Sequence, residues 1–294
     1  MRIAVTGGTG FLGRFIINHL LGEGHTIRAW HRNGSDQGGF ANGGQEVEWL
    51  EGRLNDLDAT RQLVVGCDAV VHAALERQSN NLETHQTNIM GSLQLMEEAR
   101  QANSERFIFI STCAIHDVIL DDRPLDEAHP LWPRGHYGAM KAAIEKFVHS
   151  YGLGDGWPIC SLRPTGIYGP VRPIKKSRWF DLVRDVVAGK DIDESAGGKE
   201  VHAADVARAV SILLNSKPEN IRGQSFNCYD QYISLEQVAA IAKEIIGSPS
   251  QILSRNPGPK NQIDTTKIEN LGMAFGGEAL LKDYVRELVV ASDS

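Results

Sequence analysis

The apolar positions of the chain follow two alternating rhythms. Unbroken runs at RIAV (2–5), TIRAW (26–30), VEWL (47–50), AVVHA (69–73), RFIFIS (106–111) and PICSLRP (158–164) have the length and composition of buried strands. Between them, FLGRFIINHLLGEG (11–24), LETHQTNIMGSLQLMEEARQAN (82–103) and YGAMKAAIEKFVHSYG (137–152) carry apolar residues at helical spacing. Strands alternating with helices predict an α/β fold, a doubly wound parallel sheet with helices on both faces. The second half is less regular. ADVARAVSILLN (204–215), SLEQVAAIAKEIIG (234–247) and ALLKDYVRELVVA (279–291) read as helices, and SFNCY (225–229) as a strand. Residues 1–165 are expected to form a dinucleotide-binding domain to which 203–230 return. Residues 166–294 mainly form a small C-terminal α/β substrate lobe. NGSDQGGFANGGQ (33–45) is glycine-rich and reads as a mobile surface loop.

Composition narrows the function. The chain has 294 residues, 41% hydrophobic and 23% charged, enough for one large core and a smaller lobe. A net charge of -7 argues against a nucleic-acid surface. Cys67, Cys113, Cys160 and Cys228 form no C-x-x-C pair and read as free thiols, with no metal site. Neither a leader nor a run long enough to span a bilayer is read here, so the expectation is a soluble, cytoplasmic protein with no membrane partner.

The first chemistry lies in TGGTGFLGR (6–14), between the first strand and the first helix. Gly7, Gly10 and Gly13 let the backbone turn tightly and approach a pyrophosphate. The helix start, with Phe11 and Leu12, offers free N–H groups and a partial positive charge. The setting predicts a Rossmann-type dinucleotide site. NAD sites usually carry an acid at the end of strand two, but here that end reads Trp30, His31, Arg32. An arginine can grip a 2′-phosphate with its planar fork, so NADP is expected with Arg32 as its main contact. An ordinary solvated arginine would leave NAD possible.

The second lies in HYGAMK (136–141). Tyr137 and Lys141 are four residues apart on a predicted helix and share one face. A free phenol ionises near pH ~10. An adjacent ammonium favours the phenolate and makes it a proton-transfer group near neutral pH, while hydride passes to or from a nicotinamide. Y-x-x-x-K by itself is also what a solvated helix face looks like.

TGGTGFLG, VVHAAL (70–75), NIMGS (88–92), FISTCAIH (109–116), PLDEAHPLWPRGHYGAMK (124–141), LRPTGIYGP (162–170) and EVHAADVARAV (200–210) occur in the order seen in extended short-chain dehydrogenases/reductases. The chain resembles their NAD-dependent epimerase/dehydratase branch over almost its whole length, including DTTKIENLG (264–272). The resemblance implies that Thr112 bonds the reacting oxygen beside Tyr137 and that Lys141 also bonds the nicotinamide ribose. It implies that Asn88 lies near the nicotinamide half, or bonds backbone, and that Leu54 contacts adenine. Ala73 and Ala74 let the cofactor lie close to strand four, and Arg163 and Pro164 stand behind the nicotinamide. His72, His202 and Asp205 are expected to pack and hydrogen-bond. A homodimer through helices 82–103 and 137–152 is implied in the same way.

Three positions depart from the branch. Arg53 stands where an aspartate is usual. Cys113 and Ala114 stand where nucleotide-sugar dehydratases carry Asp and Glu, which argues against water elimination. GGKEVH (197–202) lacks an arginine common in nucleotide-sugar enzymes. Arg172, Lys175, Lys176 and Arg178 can hold a diphosphate or simply be solvated. The leading expectation is an NAD(P)-dependent oxidoreductase or epimerase acting on a secondary alcohol or ketone of a small molecule, a sugar or nucleotide sugar. Two alternatives stay open. One is an NADPH-dependent reductase of a small aldehyde or ketone, because TIRAWHRN (26–33) resembles the cofactor loop of dihydroflavonol-type reductases. The other is a non-catalytic dinucleotide sensor.

Overall fold

The computed structural model describes residues 1–40, 47–76, 80–253 and 258–292. The chain runs β1 (Arg2–Thr6), α1 (Phe11–Gly22), β2 (Thr26–His31), β3 (Val47–Glu51), α2 (Leu57–Val64), β4 (Ala69–His72), α3 (Asn81–Gln101), β5 (Arg106–Ile110), α4 (His136–His149) and β6 (Ile159–Pro164). It continues through β7 (Gly166–Tyr168), α5 (Phe180–Val187), β8 (Gly197–His202), α6 (Ala203–Asn215), α7 (Pro218–Ile221), β9 (Gln224–Cys228), β10 (Gln231–Ser234), α8 (Leu235–Ile246), α9 (Thr266–Glu269) and α10 (Gly277–Ser292).

Two compact units result. The first comprises Met1–Pro164, Val206–Cys228 and Ile263–Met273. Among the described residues it holds a seven-stranded sheet in the order β3-β2-β1-β4-β5-β6-β9. Every pairing is parallel. The middle strands are covered on both faces, which is why they read as unbroken apolar runs: Ile3, Ala4, Val5, Val70, Val71, Phe107 and Ile108 are fully buried. The strand order reverses between β1 and β4. In a doubly wound sheet the crevice at that switch, beyond the carboxyl ends of the strands, is where ligands bind.

Helix α2 is absent from the sequence reading, being short and mostly polar. Its ends explain it. Asp56 caps the start, accepting from Ala59 N at 3.0 Å. At the other end, buried Arg28 of β2 donates to the carbonyls of Gln62 (2.9 Å) and Val65 (2.6 Å). The loop after β2 is anchored over its described part. Arg14 donates to the carbonyls of Asp36 and Gly38 and lies over the Phe40 ring, 5.1 Å from its centroid. Phe40 is buried. Of the loop expected to be mobile over 33–45, residues 36–40 are thus anchored, and 41–45 lie outside the described residues.

The second unit comprises Thr165–Asp205, Tyr229–Gln262 and Ala274–Ser294. Its sheet has the order β10-β8-β7, with β10 antiparallel and β7 parallel to β8. These three strands were not predicted, because GGKEVH and QYIS offer few apolar residues and GIY is only three residues long. The core gathers Tyr168, Val183, Ile233, Val238, Leu281, Val285 and Leu288. The rings of Trp179, His202 and Tyr284 pack around Tyr168 with centroids 5.2, 4.9 and 5.4 Å away. No described helix is long and apolar enough to cross a membrane.

Candidate cofactor and catalytic site

The glycine turn is built by close approach. Gly7 has φ +74°, and a Cβ there would fall 2.9 Å from the backbone of Ala73 and Ala74. A Cβ on Gly13 would lie 2.1 Å from Gly7 O, so the first turn of α1, with Phe11 and Leu12, rests directly on the turn. The helix cap is Gly10, which has no side chain to accept from the first-turn N–H groups. Those donors and the positive end of α1 suit a pyrophosphate.

Gly7, Gly10, Arg32, Leu54, Ala73 and Ala74, all named from the sequence, line one cleft of about 370 Å³. The cleft adds Ser35, Asp36, Gly52 and Glu76, which the sequence reading left unnamed, and Arg53, so two arginines share it. Gly52 is required by packing, since a Cβ would meet the Trp30 indole at 2.5 Å. Asp36 is paired with Arg14 at 3.3 Å. The glycine turn, the uncapped helix start and the two arginines together fit a dinucleotide.

Behind the cleft runs a buried series of hydrogen bonds whose direction can be worked out. Ser92 Oγ donates to Asn88 O at 2.6 Å, so at its 2.8 Å contact with His72 Nε2 it must accept. His72 therefore carries its proton on Nε2, and Nδ1 accepts from Thr6 Oγ1 at 2.7 Å. Thr6 in turn accepts from Ala74 N at 3.1 Å. Burial, aided by the charge on Lys141, pushes the His72 pKa down to about 3, so the ring is neutral. This is the packed, hydrogen-bonded histidine that the sequence suggested.

Asn88 is buried, and its amide bonds backbone. Oδ1 accepts from Glu76 N at 3.0 Å, and Nδ2 donates to Glu76 O at 2.6 Å and Thr84 O at 2.7 Å. It fixes the chain where it leaves β4. One turn on, Gly91 leaves room for Leu54, whose Cβ would be 2.8 Å from a Cβ at 91.

Tyr137 and Lys141 lie on α4, whose position depends on Gly138. A Cβ there would fall 2.3 Å from Ala114 O, so the helix sits on the short turn Cys113–Ile115. Thr112 caps that turn, its Oγ1 accepting from Ala114 N at 3.1 Å. Tyr137 is 43% exposed, whereas Lys141 is only 4% exposed. The Lys141 ammonium donates to Ile110 O at 2.8 Å and lies 4.6 Å from the Phe109 ring centroid and 6.0 Å from that of Tyr137. Burial lowers its pKa to about 8, with Glu145 opposing. The charge is thus held just behind the phenol, away from water.

Pro164 ends β6, paired with Cys228 of β9. Beside it, Arg163 and Glu145 form a fully buried ion pair at 2.6 Å, and the Arg163 guanidinium also bonds Glu127 O at 3.1 Å. In the second unit His202 Nδ1 accepts from Ala204 N at 3.1 Å and Asp205 accepts from Gly276 N at 3.0 Å. Of the basic residues at 172–178, Arg178 is paired with Glu200 at 2.6 Å. Glu200 fills the space left by Gly166 and Gly198, where a Cβ on either would fall 2.3 Å from its carboxylate. The four cysteines are free, and no cluster of three or more potential metal ligands is present among the described residues.

These features define a nucleotide-dependent enzyme of the extended short-chain dehydrogenase/reductase type. Residues 3–228 match the model of the NAD dependent epimerase/dehydratase family. The chain belongs to that family. It is 34% identical over 176 residues to a 4-hydroxy-2-methyl-3-oxo-4-farnesyl-3,4-dihydroquinoline-1-oxide ketoreductase of Stigmatella aurantiaca, covering 58% of this chain and only 51% of that protein. It is 27% identical over 292 residues to a UDP-glucose 4-epimerase of Corynebacterium glutamicum, covering 88% of this chain and 85% of that one. A crystal structure of UDP-glucose 4-epimerase with UDP-glucose from Thermotoga maritima shares the fold over 100% of both chains, with a TM-score of 0.81 at 22% identity.

Proposed function

We propose that the chain is an NADP(H)-dependent oxidoreductase or epimerase acting on a secondary alcohol or ketone of a sugar or nucleotide sugar. When bound, the nicotinamide supplies hydride acceptance and donation. Tyr137 exchanges the proton with the substrate oxygen, Thr112 orients that oxygen, and Lys141 favours the phenolate. The observation that carries the reading is the Lys141 ammonium, buried 6.0 Å from a half-exposed phenol ring. A lysine with no partner to serve would be expected to reach solvent.

Dehydration is disfavoured because no carboxylate follows Thr112. A second reading, NADPH-dependent reduction of a small ketone, is favoured by Glu200, whose carboxylate occupies the space beside residue 198. That carboxylate pairs with Arg178 at 2.6 Å, so one of the cations expected to hold a diphosphate is taken up within the protein. The likeness to a ketoreductase leans the same way. Purified protein is incubated with NADPH and, in separate reactions, UDP-glucose, UDP-galactose and simple aromatic or aliphatic ketones. Interconversion of the UDP-sugars without net NADPH loss supports the first reading, and NADPH oxidation with a ketone supports the second. If neither occurs, or Tyr137→Phe retains full turnover, the enzymatic reading falls.

A further inference from the structure

Leu54 and Glu76 are 22 positions apart in the chain, yet Leu54 N donates to Glu76 Oε1 at 2.9 Å. Both line the cleft that holds the glycine turn. Both also line a second cleft of about 650 Å³, so they stand where the two meet. A backbone donor and a carboxylate acceptor thus lie side by side on the wall of the dinucleotide cleft. The backbone of each partner is held in place, while the carboxylate can turn to meet a base. Leu54 is buried and is met by Gly91 of α3, while Asn88 grips Glu76 through both its N–H and its C=O.

That order of groups is complementary to one edge of an aminopurine. A ring nitrogen accepts from the Leu54 N–H, and the adjacent exocyclic amine donates to the carboxylate. Seating that edge exchanges the single Leu54–Glu76 bond for two. A 6-oxopurine presents the reverse order, an N–H towards Leu54 N and a carbonyl oxygen towards the carboxylate, so both contacts become repulsive. Arg53, the residue beside Leu54, has no acceptor to offer an amine.

We infer that Glu76 is the base-selecting residue of this site, accepting from the amino group of adenine while Leu54 N–H bonds the adjacent ring nitrogen. The inference rests on the dinucleotide reading above and goes beyond it, since it assigns base choice to a carboxylate at the exit of β4.

Fluorescence titration of the whole protein with NADPH and with nicotinamide hypoxanthine dinucleotide phosphate tests it, with no turnover needed. The wild type is expected to prefer NADPH by at least about tenfold. Glu76→Ala should reduce that preference to a few-fold, chiefly by weakening NADPH. Glu76→Gln, which keeps an acceptor oxygen, should retain most of the preference. Circular dichroism confirms that each variant is folded. An unchanged preference in Glu76→Ala overturns the inference while leaving the dinucleotide reading intact. If the wild type binds neither compound, both fall.

Discussion

Arg163 and Glu145 meet with side chains 1% and 0% exposed, one from the end of β6 and the other from the middle of α4. The guanidinium Nε lies 3.0 Å from one carboxylate oxygen, and Nη2 lies 2.6 Å from the other. The pair pins the helix that carries Tyr137 to the sheet. Taking two charges out of water is costly, and removing one partner leaves the other stranded.

Glu145→Ala is therefore expected to destabilise the fold by roughly 3–5 kcal/mol, measured by urea denaturation. Replacing both partners together, Arg163→Met with Glu145→Leu, should recover much of that loss. If the double variant is no more stable than Glu145→Ala, the pair is not what the single substitution disrupts.

Lys141 predicts a stability slope. Its folded pKa is near 8 because burial disfavours the charge, while an unfolded lysine ionises near ~10.4. Between those values the unfolded chain binds the extra proton, so stability should rise with pH over that window, by up to a few kcal/mol. Below pH ~8 both states are protonated and the contribution is flat. Denaturation midpoints across pH 7–10 should show the rise in the wild type and lose it in Lys141→Met. Parallel profiles would contradict the assigned burial.

The proposed NADP(H) preference rests on Arg32. Arg32→Ala should weaken NADPH by tenfold or more and leave NADH within about twofold, because only the 2′-phosphate uses the fork. Equal weakening of both would point to a loop role instead.

His72 should be neutral with its proton on Nε2 throughout pH 5–8. Nitrogen-15 NMR distinguishes the tautomers directly, and titration near the ordinary histidine value would refute the buried series. Thr6→Val, which removes the donor to Nδ1, should cost about 1–3 kcal/mol.

Much of the first unit was legible because a parallel sheet buried on both faces writes itself as apolar runs. RIAV, AVVHA and RFIFIS each became a strand within one or two residues of the expected bounds. The glycine turn was legible because only glycine tolerates the contacts that Gly7 and Gly13 make. β8 and β10 were not, since a small sheet in the second unit places few apolar residues on each strand. Helix α2 depends on Asp56 and Arg28 at its ends, and the second of these arrives from a distant strand. Asn88 was named as lying near the nicotinamide half or as bonding backbone, and its amide does bond the Glu76 backbone, but Glu76 itself carried no signal. Its place beside Leu54 exists only once β4 and the loop after β3 have come together.

The series through His72 has a consequence for how protons travel. It begins at the Ala74 N–H and ends at the Asn88 carbonyl, and a peptide group at physiological pH neither yields nor takes up a proton. With one hydrogen assigned to every link, nothing can hop along it. It braces β1, β4 and α3 as a girder does, and carries no proton between the interior and water.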